Sequence, residues 1–305
     1  RDQLVRLLRA GEYEVVQLET LYLAPYIPHI RRHSDALIAL RTHNVEHEIW
    51  ERISNNTRSL FKKWYLQHLT AKLKRYEAAQ LDRCDMLIPI SERDLSCFRR
   101  MGARTTAAVT PIGIDPAAYA PDYRSYQRPT TVSFIGSLDW MPNQEGLRWF
   151  LQKVWGPRLQ ESGPPLHIAG RNTPDWLFRT RLKNVFVHGE VGDAAKFINA
   201  HNIMVVPLLS GSGMRAKILE GMALGKVVLT TRLGLEGIDA RPGWEVLVAD
   251  TPQQFAALLR RYAAAPDQLE HIGRRARQFV VQRYDSDAIA RQLMAAYSAL
   301  MVEAI

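Results

Sequence analysis

The sequence predicts an α/β protein built from doubly wound parallel sheets. Three observations carry that prediction. Short β-rich runs alternate with longer helical stretches through almost all of the 305 residues, the order expected of repeated βαβ units. Several of the β-rich runs are continuously apolar instead of alternating, as strands covered on both faces are. Several of the loops that follow them hold glycines and charged residues, and ligands of open α/β sheets bind beyond the C-terminal ends of strands.

The expected strands, in order, are "EVVQLE" (14–19), "ALIALR" (36–41), "DMLIPI" (85–90), "TAAVT" (106–110), "TVSFIG" (131–136), "LHIAG" (166–170), "NVFVHG" (184–189), "IMVVPL" (203–208), "KVVLTT" (226–231) and "EVLVA" (245–249). The longest helical stretch runs from about Glu46 to Cys84, with Leu66, Leu69, Leu73 and Tyr76 as its buried stripe. A second starts near Pro142-Asn143 and ends before Gly156-Pro157, with Leu147, Phe150, Leu151 and Val154 on one face. A third runs from Met214 to Leu224 and stops at Gly225, a residue suited to the left-handed C-cap. The last, 285–301, carries Ile289, Leu293 and Tyr297 as its apolar stripe. The segment 113–130 holds three prolines and no periodicity and reads as a linker. The expected division is therefore 1–118, 119–284 and a terminal helix from 285 to 305. With only four strands, the first domain is expected to lack some N-terminal ones.

Composition is that of a globular protein, 47% hydrophobic and 23% charged, and no run of about 18 apolar residues suits a transmembrane helix. No signal peptide is read in the sequence, which begins with Arg1 instead of Met. Two cysteines, Cys84 and Cys97, in no metal-type spacing argue against a disulfide scaffold, so a cytoplasmic location is expected. The net charge is +9, and part of it is local: 58–75 contains six Lys/Arg and no Asp or Glu. Lys62, Lys63 and Trp64 lie in this stretch with Phe61 and Tyr65. That mixture is expected either on a solvated helix face or on an anionic membrane surface; nucleic acid is not the expected partner.

The most informative stretch is "PLLSGSGMRAKILEGMALGKVVLTT" (207–231). A strand ends, Ser210-Gly211-Ser212-Gly213 follows, and a helix opens with Met214 and Arg215. The glycines let a ligand approach the backbone, and the start of a helix attracts an anion. Arg215 and Lys217 in a first turn oppose the helix dipole, a cost that a bound anion removes. Glu220 stands one turn on, where it can meet sugar hydroxyls or pair with Lys217. The loop is not a Walker sequence, and "GSGMRA" is not a G-x-G-x-x-G fingerprint.

This region, followed by "GLEGI", resembles the signature of retaining glycosyltransferases of family 4, in the branch that reads G-[ST]-G-x-R-x-K-x-L-E. The likeness extends to "FIGSLDWMPNQEGLRWFLQKVWGPRL" (134–159), "LHIAGRN" (166–172), "VFVHGEVGD" (185–193) and "TPIGIDP" (110–116). The resemblance implies a GT-B fold, two Rossmann-like domains facing each other across a cleft. The donor, a nucleotide-diphosphate sugar, is then expected on the C-terminal domain, and a glycan or lipid-linked acceptor on the N-terminal one. It further implies that Gly136 admits the diphosphate, that Gly170 and Arg171 lie near the nucleotide, and that Val191 and Asp193 lie near the base. Ser212, Gly213 and Met214 would form the donor loop, Arg215 and Lys217 would bind the diphosphate, and Glu220 would hold the ribose. The pattern departs from the family at Ser212, which replaces the first motif glutamate, and at Ser137 and Asn143, which replace a basic pair. A GT-B protein that binds without transfer and a nucleotide-sugar epimerase are the other readings left open.

In "RTHNVEHE" (41–48), His43, Glu46 and His47 spell H-x-x-E-H, an inverted zinc-protease pattern. His43 is expected at the end of a strand, before the helix, so the spacing that would bring both histidines to one metal fails. The resemblance instead makes His43 a catalytic residue that hydrogen-bonds the transferred sugar. It implies transfer with retention of configuration, without a metal or other cofactor.

Overall fold

The structure, a computed structural model, describes residues 1–57, 59–211 and 213–303. Ten strands form two parallel sheets, each strand at its expected place, though shifted or shortened by a few residues. The chain divides into two compact units. One comprises Arg1–Ile112, Ser212–Met214 and Asp287–Ile305; the other comprises Gly113–Gly211 and Arg215–Ser286.

In the first unit, β1 (Val15–Glu19), β2 (Leu37–Thr42), β3 (Met86–Pro89) and β4 (Thr106–Ala107) lie side by side in chain order. Alternation along β2 and β3 divides the core between the two sheet faces. Ile38, Leu40 and Leu87 pack with Phe98 and Leu81, while Ala39, Met86 and Ile88 pack with Tyr297. Tyr297 belongs to the helix Ser286–Glu303, so the last helix covers one face of this unit.

The helix expected from Glu46 to Cys84 is two helices, Glu46–Asn56 and Leu60–Leu81. The break falls where polar side chains compete for the backbone. The Thr57 hydroxyl donates to the Ile53 carbonyl at 2.8 Å, and Ser59 caps the second helix by accepting from the Lys62 N–H at 3.5 Å. The inward stripe of the second helix is also corrected. Leu66 is buried and Leu73 packs on the core as expected, together with the buried Thr70, Glu77 and Gln80, whereas Leu69 and Tyr76 are exposed. The stripe follows Glu77 inward because that carboxylate has work to do: it accepts from the N–H groups of Glu46 (2.9 Å) and His47 (3.2 Å) and so caps the preceding helix.

In the second unit, β5 (Val132–Ile135), β6 (Leu166–Ala169), β7 (Val185–Gly189), β8 (Ile203–Val206), β9 (Val227–Thr230) and β10 (Leu247–Val248) are ordered β7-β6-β5-β8-β9-β10. The chain winds one way from β5 and, after β7, returns to the other side at β8. The order therefore reverses between β5 and β8, the position at which doubly wound sheets open a crevice. The second helical stretch starts at Met141, as expected near Pro142. It does not end before Gly156-Pro157: a π turn over Phe150–Trp155 carries it on to Gly156–Arg158. The wider turn accommodates a proline, which has no N–H to give. Leu147, Phe150, Leu151 and Val154 are all buried.

The segment 113–130 is no free linker. It packs on the second unit through Tyr126, which is buried and whose hydroxyl donates to the Gly225 carbonyl at 2.9 Å. The buried Lys226 ammonium donates to the Asp122 carbonyl and to Ser125 Oγ, and burial lowers its pKa to about 8. Aromatic anchors in a proline-rich stretch fix it by packing, which periodicity does not report. Among the described residues no helix is long and apolar enough to cross a membrane.

Candidate functional site

The crevice between β5 and β8 collects polar groups from three loops of the second unit. Gly136 ends β5, and a Cβ there would lie 2.9 Å from Asn143 Nδ2 and 3.3 Å from Lys217 Nζ. Gly170 ends β6 so close to β5 that a Cβ would stand 2.0 Å from the Gly136 carbonyl oxygen. Gly170 N–H donates to Gly189 O at 2.8 Å, and the backbone carbonyl of the exposed Arg171 accepts from Leu138 N–H at 2.8 Å. Gly136, Gly170, Arg171 and Lys217 are therefore neighbours, drawn from three separate loops.

The loop after β8 has a local reason for its glycines. Gly211 and Gly213 have φ of +102° and +77°, the left-handed region that side chains avoid. A Cβ on Gly211 would also lie 3.0 Å from Arg215 Nη2 and 3.7 Å from Trp140. Ser212 lies outside the described residues; Met214 is buried. The helix that follows is Ala216–Ala223, two residues shorter at its start than expected. Arg215, extended at φ −96° and ψ 93°, is its N-cap residue and is only 6% exposed. Lys217 thus sits in the first turn, and the expected pair of first-turn cations becomes one at the cap and one just inside. At the other end of the helix Gly225 has φ of +68°, as expected of its C-terminal stop.

The half-buried Lys217 ammonium donates to Asn143 Oδ1 at 2.5 Å and lies 5.2 Å from the centroid of the Phe134 ring. Burial first, and the Arg215 guanidinium second, lower its pKa to about 7. Two cations held this close, one short of its usual protonation, form a receptor for an anion. The Lys217–Glu220 pair is not what holds Lys217 in place; Asn143 is. Glu220 is half-buried and faces Tyr119, whose hydroxyl is raised above its ordinary pKa by burial and then by the Glu220 carboxylate.

Asp193 is set apart from this group. Its carboxylate accepts from Lys196 N–H at 2.8 Å and so caps the helix Ala194–Asn199, and it lines a cavity with Asp122, Arg124 and Asn199. Val191 is half-buried in the same loop.

The C-terminal edge of the first sheet carries its own polar group. The three side chains of H-x-x-E-H part company there. His43 Nε2 lies 2.6 Å from Glu19 Oε2 at the end of β1. Glu46 accepts from the Tyr22 hydroxyl at 2.8 Å, and burial with that bond pushes Tyr22 up to about 12. His47 Nδ1 lies 2.7 Å from Glu77 Oε2 in the core. Among the described residues no group of three or more His, Cys, Asp or Glu is arranged to hold a metal ion. On the helix Leu60–Leu81, the basic stretch is broadly solvent-facing. Phe61 is 89% and Trp64 69% exposed, with Lys62 beside them and Lys63 half-buried.

Trp140, beside Gly211 in the second unit, and Glu19, beside His43 in the first, are neighbours of the expected residues that the sequence pattern does not pick out. Glu19 had a signal: it is the last residue of an expected strand, the position that selected His43 on the next one.

Residues 129–265 match the family Glycosyl transferases group 1. An uncharacterized 44.6 kDa protein in the cps region of Klebsiella pneumoniae is 25% identical over 265 residues, 82% of this chain. The chain spans 66% of the length of that relative. Among solved structures, sucrose-phosphate synthase from Thermosynechococcus elongatus matches with a TM-score of 0.76 at 17% identity, over 99% of this chain and 78% of that one. The Anabaena protein HepE in complex with UDP matches at 0.75 and 15%, over 98% and 81%. A glycosyltransferase from Rickettsia africae matches at 0.72 and 12%, over 98% and 80%. At such identities the likeness shows the fold alone, the α/β fold of GT-B glycosyltransferases with one four-stranded and one six-stranded parallel sheet.

Proposed function

We propose that the chain is a glycosyltransferase that takes a sugar from a nucleotide-diphosphate donor with retention of configuration and without a metal ion. The observation that carries this reading is the convergence of Arg215 and Lys217 on the glycine ends of β5 and β8, at the reversal of strand order. The family match over 129–265 supports it, as does the likeness to HepE, which has been crystallised with UDP and with UDP-glucose.

In this reading the diphosphate lies on Gly136, the N-terminus of Ala216–Ala223, Arg215 and Lys217. When the glycosidic bond to phosphate breaks, negative charge grows on the leaving phosphate and positive charge on the anomeric carbon. Cations and helix N–H groups already aimed at that phosphate lower the barrier because they need no reorganisation. The leaving phosphate takes the proton of the acceptor hydroxyl. His43 hydrogen-bonds the transferred sugar, and Glu220 serves the ribose. A screen of UDP-, GDP- and ADP-sugars with product analysis by NMR tests the proposal. The account requires a product glycoside with the donor's anomeric configuration; binding without turnover, or return of an epimerised nucleotide sugar, contradicts it.

The acceptor is proposed to be a glycan, reached at an anionic membrane surface by the face that carries Lys62, Lys63 and Trp64. Each lysine near such a surface contributes about 1 kcal/mol, so replacing all three residues with alanine should weaken binding to phosphatidylglycerol-containing vesicles by about 30-fold or more. Vesicle binding equal to that of the parent protein sinks the membrane part alone.

A further inference from the structure

A chain of hydrogen bonds runs from the last helix to His43 within the first unit. The Tyr297 hydroxyl donates to Gln17 Oε1, and Gln17 Nε2 donates to Glu19 Oε1. The other oxygen of the same carboxylate, Oε2, lies 2.6 Å from His43 Nε2. Gln17 and Glu19 share one side of β1 because strand side chains repeat every two residues. Tyr297 is fixed in turn by Ala39, Met86 and Ile88.

We propose that Glu19 is a positioning residue for His43, and that Gln17 and Tyr297 hold Glu19 in place, so that packing of the last helix sets the state of the histidine. The polarity of the chain supports this. A hydroxyl supplies a proton to the amide oxygen, which turns the amide N–H groups toward the carboxylate, which can only accept. Glu19 then fixes the proton of neutral His43 on Nε2 and turns Nδ1 the other way. The charged and titratable groups around Glu19 are His43, Arg41 on β2, with Nη1 3.8 Å from Oε1, and Tyr297. The carboxylate is held below its usual range by His43 and Gln17 despite the opposing effect of burial. Tyr297 is pushed up to about 12 by burial and by Glu19, so it remains a donor across the working range.

The inference rests on His43 acting in transfer, but its test does not. Nitrogen-detected NMR of His43, assigned with His43→Asn, reads its tautomer in the ligand-free protein. Glu19→Gln should mix the tautomers, because a side-chain amide can donate to a ring nitrogen as well as accept from it. Tyr297→Phe, which keeps the packed ring, should mix the tautomers in the same direction by less. A merely structural role for Glu19 would lower stability and leave the tautomer as it is, and that result overturns the proposal. Parent-like values in Tyr297→Phe alone remove the last helix from it. If transfer is found, Glu19→Gln should also lower kcat about tenfold with UDP affinity unchanged. If no donor turns over, the NMR result still decides the positioning role.

Discussion

Replacing Lys217 with methionine is expected to weaken binding of an intact UDP- or GDP-sugar by about 10- to 100-fold, the usual worth of a charge-assisted hydrogen bond. Methionine keeps the stem packed beside Phe134 and removes only the ammonium and its bond to Asn143. Arg215→Ala should cost a similar factor, but the two losses will not multiply. Arg215 is one reason that Lys217 is hard to protonate, so its removal partly restores the remaining cation. The same coupling gives a pH signature. In the free protein Lys217 titrates near 7, and a bound diphosphate raises that value, so binding above pH 7 takes up a proton. Affinity should be flat below pH 7 and fall by up to tenfold per unit above it, and the slope should vanish in Lys217→Met. Stability of the ligand-free protein moves oppositely. Between about 7 and the ordinary 10.5 only the unfolded chain holds this proton, so the Lys217 contribution improves as pH rises. Isothermal titration in buffers of different ionisation heat measures the proton uptake; no uptake at pH 8 contradicts the assignment.

The second large effect concerns the frame that holds the site. Gly170→Ala places a methyl group 2.0 Å from a backbone oxygen, that of Gly136, with Leu138 carbons at 3.1 Å on the other side. The Leu138 side chain can give by a few tenths of an ångström, but a backbone oxygen at 2.0 Å cannot, so β5 and β6 must separate. A loss of about 3 kcal/mol is expected, or roughly 6–12 °C in the melting midpoint of the second unit. Because the displaced carbonyl belongs to Gly136, donor affinity should fall as well. Gly192→Ala is the matched control: a Cβ there meets nothing within 4 Å, and it should melt within a degree or two of the parent. Equal melting of the two variants would contradict the close approach of the strand ends.

What the sequence could reveal was local. The ten strands show in their apolar runs, and the turn at 210–215 shows in its glycines, because both depend on neighbours along the chain. Partners across the fold left no such trace. Lys217 meets Asn143 from 74 residues away, and His43 meets Glu19 from 24 away. In the sequence Asn143 stands out only as a position where the family pattern has a basic residue. The long helix of 46–84 was misjudged because helical periodicity survives a three-residue break, and its stripe because a buried glutamate counts as polar in any pattern. Tyr126 hid the docking of 113–130 for the same reason: one packed ring has no period.

The most direct test is the structure of the protein with UDP bound, solved at pH 6.5 where Lys217 is protonated. The account places the diphosphate within hydrogen-bond distance of Lys217 Nζ and the Arg215 guanidinium, against Gly136 and the first N–H groups of Ala216–Ala223. A diphosphate bound elsewhere on the second unit, with Lys217 still on Asn143 and no phosphate oxygen near it, would contradict the account.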